Sequence, residues 1–149
     1  MNPATVVVVH VAATLFMTGA IWMVQVVHYP LFAYADRATY AAFADAHGRL
    51  ITLIVGPAML VELGAAVWLV ATRSPLLPRG WAVTGLALLL VIWACTALVS
   101  VPLHGQLARG YDARAHAALV ATNWIRTIAW TARSGLVLVA LARALSGVR

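Results

Sequence analysis

Four long apolar stretches, each marked by polar residues at helical spacing, set the pattern of this chain. A helix needs roughly 20 apolar residues to cross a bilayer. Four segments reach that length, near 4–29, 48–72, 81–104 and 116–143. Residues three or four apart share a helix face. In the first segment His10, Thr14, Thr18, Gln25 and His28 follow that spacing; in the third, Thr96, Ser100 and His104 do. The fourth carries Asn123, Arg126 or Thr127, Trp130, and Arg133 or Ser134 along one side. In the second, His47 and Glu62 fall about 60° apart on the helical wheel. Each helix thus has one polar face, and in lipid such faces turn inward and hydrogen-bond to one another.

The expected fold is an all-α integral membrane protein, an antiparallel four-transmembrane-helix bundle read as a single domain over 1–149. "TRSPLLPRG" closes the second helix and opens the third, and "GQLARGYDAR" (105–114) separates the third and fourth. The longer first connection (29–49) reads as an interfacial helix or as an early start to the second span. No repeat or low-complexity tract is evident.

Composition agrees with the pattern. The chain is 64% hydrophobic and 9% charged, against about a quarter charged in soluble domains. All ten basic residues are arginine, scattered singly, so the net charge of +6 reads as membrane flanks and internal groups, not as a nucleic-acid footprint. The first segment lacks the short apolar core and small-residue cleavage site of a signal peptide and reads as a first span. Cys95 stands alone, which excludes an intramolecular disulfide. Arg73, Arg79, Arg143 and Arg149 fall on the side of the termini; Arg37, Arg49, Arg109 and Arg114 fall on the other, beside Asp36, Asp45 and Asp112. The flanking basic residues divide four against four; because those on the termini side have no neighbouring acids and the chain amine adds to them, the expectation is cytoplasmic termini in a bacterial plasma membrane. Membrane lipids are the expected surroundings. Gly56, Gly64 and Gly85 are candidates for close helix contacts within the chain or in a homo-oligomer.

Glu62 is the one carboxylate inside a span. It lies ~14 Å from the termini side, and Arg133 lies ~15 Å from it, at 1.5 Å per helical residue. A structural ion pair between Glu62 and Arg133 is therefore expected. Arg126, ~14 Å from the opposite side, is left without a carboxylate. Its candidate partners are Glu62, in competition with Arg133, carbonyls freed by Pro57 or Pro102, or an acidic or carbonyl-bearing lipophilic ligand.

His28, His47, His104 and His116 fall at one membrane boundary, whereas His10 lies ~27 Å from His28 along its helix. His116 reads as part of an exposed helix start. Imidazole nitrogens at about 2.0–2.1 Å suit Zn, Cu or Fe, so His28, His47 and His104 are candidate metal ligands, and His28 and His104 alternatively hold haem b. Asn123 and Arg126 would orient a ligand oxygen and stabilise charge on it. Tyr29, Tyr34, Tyr40 and Tyr111 read as an aromatic belt at this boundary. Trp22, Trp93, Trp124 and Trp130 lie deeper.

The segment "VPLHGQLARGYDARAHAALVATNWIRTIAWTARSGL" (101–136) resembles the anthrone oxygenase-like family of small four-helix membrane proteins. The likeness rests on Val101, Pro102, Leu103, His104, Asn123, Trp124, Arg126 and Trp130, with His104 where the family pattern has Asn. The resemblance implies oxidation of an aromatic polyketide by molecular oxygen. The reading of the sequence is thus a membrane oxidoreductase or oxygenase-like protein. Its rivals are a module binding or transporting protons, a metal or a small lipophile, and a structural subunit of a membrane complex.

Overall fold

A computed structural model describes residues 2–73 and 77–146. Part of the turn between the second and third helices (74–76) lies outside the described residues, as does Arg149 from the charge comparison above. The described residues are helical, with no strand, and form four long helical runs: α1 (Pro3–Tyr34), α2 (Tyr40–Ala71), α3 (Arg79–Leu107) and α4 (Ala113–Ser146). All four are long and apolar enough to cross a membrane. They exceed the expected spans at most ends. The first connection is mostly absorbed into helices, since α1 runs on to Tyr34 and α2 starts at Tyr40. α1 packs against α2 and α4, and α3 completes the ring by packing against both of those helices.

Side chains at the short breaks fix the helix ends. Asn2 caps α1 through Oδ1, which accepts the Ala4 amide at 2.9 Å. Asp36 accepts the hydroxyl of Thr39 at 3.0 Å and its amide at 3.1 Å, and these bonds hold its carboxyl below the ordinary range. Asp112 Oδ1 accepts the amides of Arg114 and Ala115, each at 2.8 Å, at the start of α4. Just before it, Gly110 has φ +140°, a conformation that side chains rarely adopt.

The bundle buries a polar network within an apolar core and exposes large apolar side chains outside. Leu98 is 76% and Leu53 72% exposed, whereas Glu62, Asn123 and Thr127 are fully buried and Arg133 is 1% exposed. In water this would forfeit most of the apolar burial that drives folding; the distribution suits a hydrocarbon surround. The core around the polar groups is built from Phe32, Tyr40, Leu89, Ile92, Leu119 and Trp130.

Two helices contain a π turn, Val24–His28 in α1 and Thr96–Ser100 in α3. Each ends just before a proline, in "YP" (29–30) and "VP" (101–102). Proline has no N–H for the carbonyl four residues back, and the wider turn re-pairs the backbone around this gap. Tyr29 N–H donates to the Val24 carbonyl and Val101 N–H to that of Thr96, each five residues earlier. Such bulges cluster at functional sites, and both of these lie at the histidine-rich end.

Candidate functional site

Tyr29 follows the first π turn and is only 4% exposed. Its position in the interior departs from the aromatic-belt reading. Its hydroxyl lies 3.2 Å from an Arg126 guanidinium nitrogen of α4 and 2.9 Å from His104 Nε2 of α3. The guanidinium can only donate, so the Tyr29 oxygen accepts from it and its own O–H is directed to His104 Nε2. The proton of neutral His104 then resides on Nδ1, an assignment made from the network. The local carbonyls also have partners: His116 Nε2 lies 2.8 Å from the Tyr29 carbonyl oxygen. His116 is therefore no exposed helix start. It is 8% exposed and secures the backbone of Tyr29.

Arg126 is 7% exposed and forms no ion pair among the described residues. It does not meet carbonyls freed by Pro57 or Pro102. Besides Tyr29 it donates to Asn123 Oδ1 and, at 3.4 Å, to the Thr96 hydroxyl. Asn123 in turn donates to Gln25 Oε1 at 2.8 Å, and Gln25 donates to the Val120 carbonyl at 3.2 Å. Gln25 fixes the amide of Asn123, and Asn123 holds the guanidinium. Arg126 Nε has no partner among the described residues. A buried donor left unpaired costs about 1–3 kcal/mol.

In front of Arg126 is a cavity of about 120 Å³. Tyr29, Thr96, Ser100, His104 and Arg126 give it polar groups on one side; Ile21, Val24, Val55, Met59 and Trp130 supply apolar walls. The volume is comparable with the ~150 Å³ apolar cavity that admits a benzene ring.

The fold also brings His28, His47 and His104 together, with ring centroids 4.6 Å apart for the first pair and 5.3 Å for His47 and His104. Phe32, fully buried and unremarked in the sequence, lies among them at 5.3, 4.9 and 6.4 Å. The nitrogens are arranged as hydrogen-bonding partners. His28 Nε2 and His47 Nδ1 are 2.8 Å apart, whereas two ligands of one tetrahedral metal at ~2.05 Å stand about 3.3 Å apart. His104 Nε2 is taken by Tyr29, and its Nδ1 and His47 Nε2 have no partner. Among the described residues no group of three or more His, Cys, Asp or Glu side chains is placed to hold a metal ion. The cavity beside His104 is also far below the roughly 300 Å³ at which sites for sizeable ligands begin, too small for the macrocycle of haem b. As placed, these residues fit neither group.

Nearer the termini, Glu62 and Arg133 meet in the core. Arg133 donates to Glu62 Oε1 from Nε at 3.1 Å and from a terminal nitrogen at 3.0 Å, and also to the Gly85 carbonyl. Thr14 donates to Oε1 at 2.8 Å and Trp130 Nε1 to Oε2 at 3.0 Å. Both carboxylate oxygens are thus engaged by α1 and α4. Trp22 and Trp124 instead pack edge to face near the surface, 40% and 42% exposed.

Comparison with family models, curated proteins and solved structures finds no match. The site must be read from its own geometry.

Proposed function

We propose that the chain is an integral membrane protein that binds the oxygen of a small lipophilic ring in front of Arg126 and removes a proton there, as part of an oxidoreductase or oxygenase-like reaction. In this reading the four helices cross a bacterial plasma membrane in alternating directions, with the termini in the cytoplasm. The observation that carries the reading is Arg126: a buried guanidinium with, among the described residues, no carboxylate and no partner for its Nε–H, bordering a ring-sized cavity.

Each residue has a distinct part. Arg126 donates to the ligand oxygen and favours negative charge on it, as a preorganised donor does. Asn123 and Gln25 hold the guanidinium in place before the ligand arrives. Tyr29 and His104 provide the path for the proton: a ligand hydroxyl gives its proton to the Tyr29 oxygen while the Tyr29 proton passes to His104 Nε2. The products are a ligand oxyanion beside Arg126 and an imidazolium at His104. This step moves a proton and changes no oxidation state; an oxidation of the ligand oxyanion would pass its electrons to the molecular oxygen that the resemblance implies. The resemblance over 101–136 supports the same reaction class through Arg126 and Asn123, while His104 stands where the family pattern has Asn.

Retention of tritiated 2,3-dimethyl-1,4-benzoquinone by protein in nanodiscs, above that of empty discs, tests the reading. Its carbonyls can accept from Arg126. The wild type should bind saturably. Arg126→Leu should weaken binding by tenfold or more, as expected for a hydrogen bond to a charged group worth about 1.5–3 kcal/mol. Equal retention by wild type and Arg126→Leu, with both folded, overturns it.

A further inference from the structure

A groove of about 690 Å³ opens on the outer side of the bundle between α2 and α3. Its walls include Gly48, Thr52, Leu53, Val101, His104 and Gly105. Thr52, Val101 and His104 also line the cavity in front of Arg126, so the two spaces are separated by one shared wall. A Cβ added at Gly48 or at Gly105 would meet nothing within 4 Å. Side chains are thus missing at two wall positions where nearby atoms leave room for them. At the rim, Arg49 is paired with Asp45 at 2.8 Å, largely exposed, which marks the groove as lying near the membrane boundary.

The cavity holds one ring and no more, whereas the groove beyond its wall is several times larger. Arg126 and Tyr29 present polar groups to the cavity, and the groove on the far side of the shared wall is lined by mostly small and apolar residues. We infer that the ligand is an amphiphile longer than the cavity: an alkyl-substituted monocyclic quinone or phenol. Its oxygen-bearing ring meets Arg126 and Tyr29, and its chain passes between Thr52, Val101 and His104 into the groove that Gly48 and Gly105 keep open. This rests on the reading of Arg126 given above. It distinguishes a substituted single ring from the fused aromatic polyketide implied by the resemblance, which exceeds a one-ring cavity.

The test compares two tritiated probes in nanodiscs, 2,3-dimethyl-1,4-benzoquinone and its 5-decyl derivative, each corrected for retention by empty discs. Gly48→Leu and Gly105→Leu put branched side chains into the groove. Each should weaken the decyl probe by tenfold or more and leave the short probe within twofold. Arg126→Leu should weaken both. Unchanged decyl affinity in both glycine variants overturns the groove as the seat of the chain, while the Arg126→Leu result still stands for the ring site. Equal weakening of both probes with a lowered thermal midpoint also overturns it, since the glycines would then serve packing; Gly48→Ala and Gly105→Ala, which are too short to fill the groove, should keep wild-type affinity. If Arg126→Leu alters neither probe, the site reading itself fails.

Discussion

The hydroxyl of Tyr29 stands 2.9 Å from Nε2 of His104, a residue of another helix, and both border the cavity that Arg126 faces. A phenol between a guanidinium and an imidazole is polarised by both. Arg126 donates to the phenol oxygen, and His104 Nε2 is in position to accept its proton.

Removing that hydroxyl should cost function more than fold. Tyr29→Phe keeps the ring against Phe32 (centroids 5.6 Å apart) and loses the bonds to Arg126 and His104. Two buried groups then lose a partner, at about 1–3 kcal/mol. The expected result is at least fivefold weaker retention of the dimethylbenzoquinone, with a cooperative thermal transition preserved. Unchanged retention would remove Tyr29 from the site.

Chelation distinguishes a hydrogen-bonded histidine cluster from a metal centre. With His28 Nε2 and His47 Nδ1 2.8 Å apart, exhaustive EDTA treatment should leave probe binding within twofold. His28→Ala should act on stability through the lost bond, by about 1 kcal/mol. Purified protein with stoichiometric Zn, Cu or Fe that is lost together with binding in His28→Ala would restore the metal reading.

The ion pair in the core should show strong coupling between its members. Glu62→Leu strands the Arg133 guanidinium and removes the acceptor of Thr14 and Trp130. Removing one member of a buried pair costs about 3–5 kcal/mol. Arg133→Leu should cost a similar amount, and the double variant should fall short of the sum by on the order of 2 kcal/mol. Detergent-titration unfolding of the four proteins measures this. Strict additivity would mean that the two residues act independently.

The sequence carried the elements of this protein further than it carried the aim of individual side chains. Helical spacing and depth are one-dimensional quantities, and they were enough to bring Glu62 and Arg133 to one level and to gather His28, His47 and His104. The place of Tyr29 is not legible in the sequence because boundary composition alone reads its ring as part of the belt, whereas the π turn before it redirects the chain. His116 escaped for the converse reason: a polar run at a helix start looks exposed until the carbonyl of Tyr29 faces it. The only local signal for either was the pairing of "HYP" with "VPLH", two prolines near the ends of apolar helices. The spacing of Thr96, Ser100 and His104 was counted on an ideal helix, and the bulge over Thr96–Ser100 replaces part of that geometry.

That bulge yields a separable prediction. Pro102 cannot donate to the carbonyl of Leu98, four residues earlier, and the π turn re-pairs the chain around this gap. Pro102→Ala restores the donor and lets α3 run as a regular α-helix. Rewinding the π turn as α-helix, with no residue removed, turns everything beyond it by about 100° relative to Thr96. His104 would leave Tyr29, while the backbone gains a hydrogen bond and a better helix former. Probe retention should fall at least fivefold while the thermal midpoint holds or rises. In histidine-labelled protein, the His104 ring resonance should move more than that of His10 at the far end. A variant that binds as well as wild type, with the His104 resonance in place, would show that the bulge survives without its proline and that packing against α4 sets it.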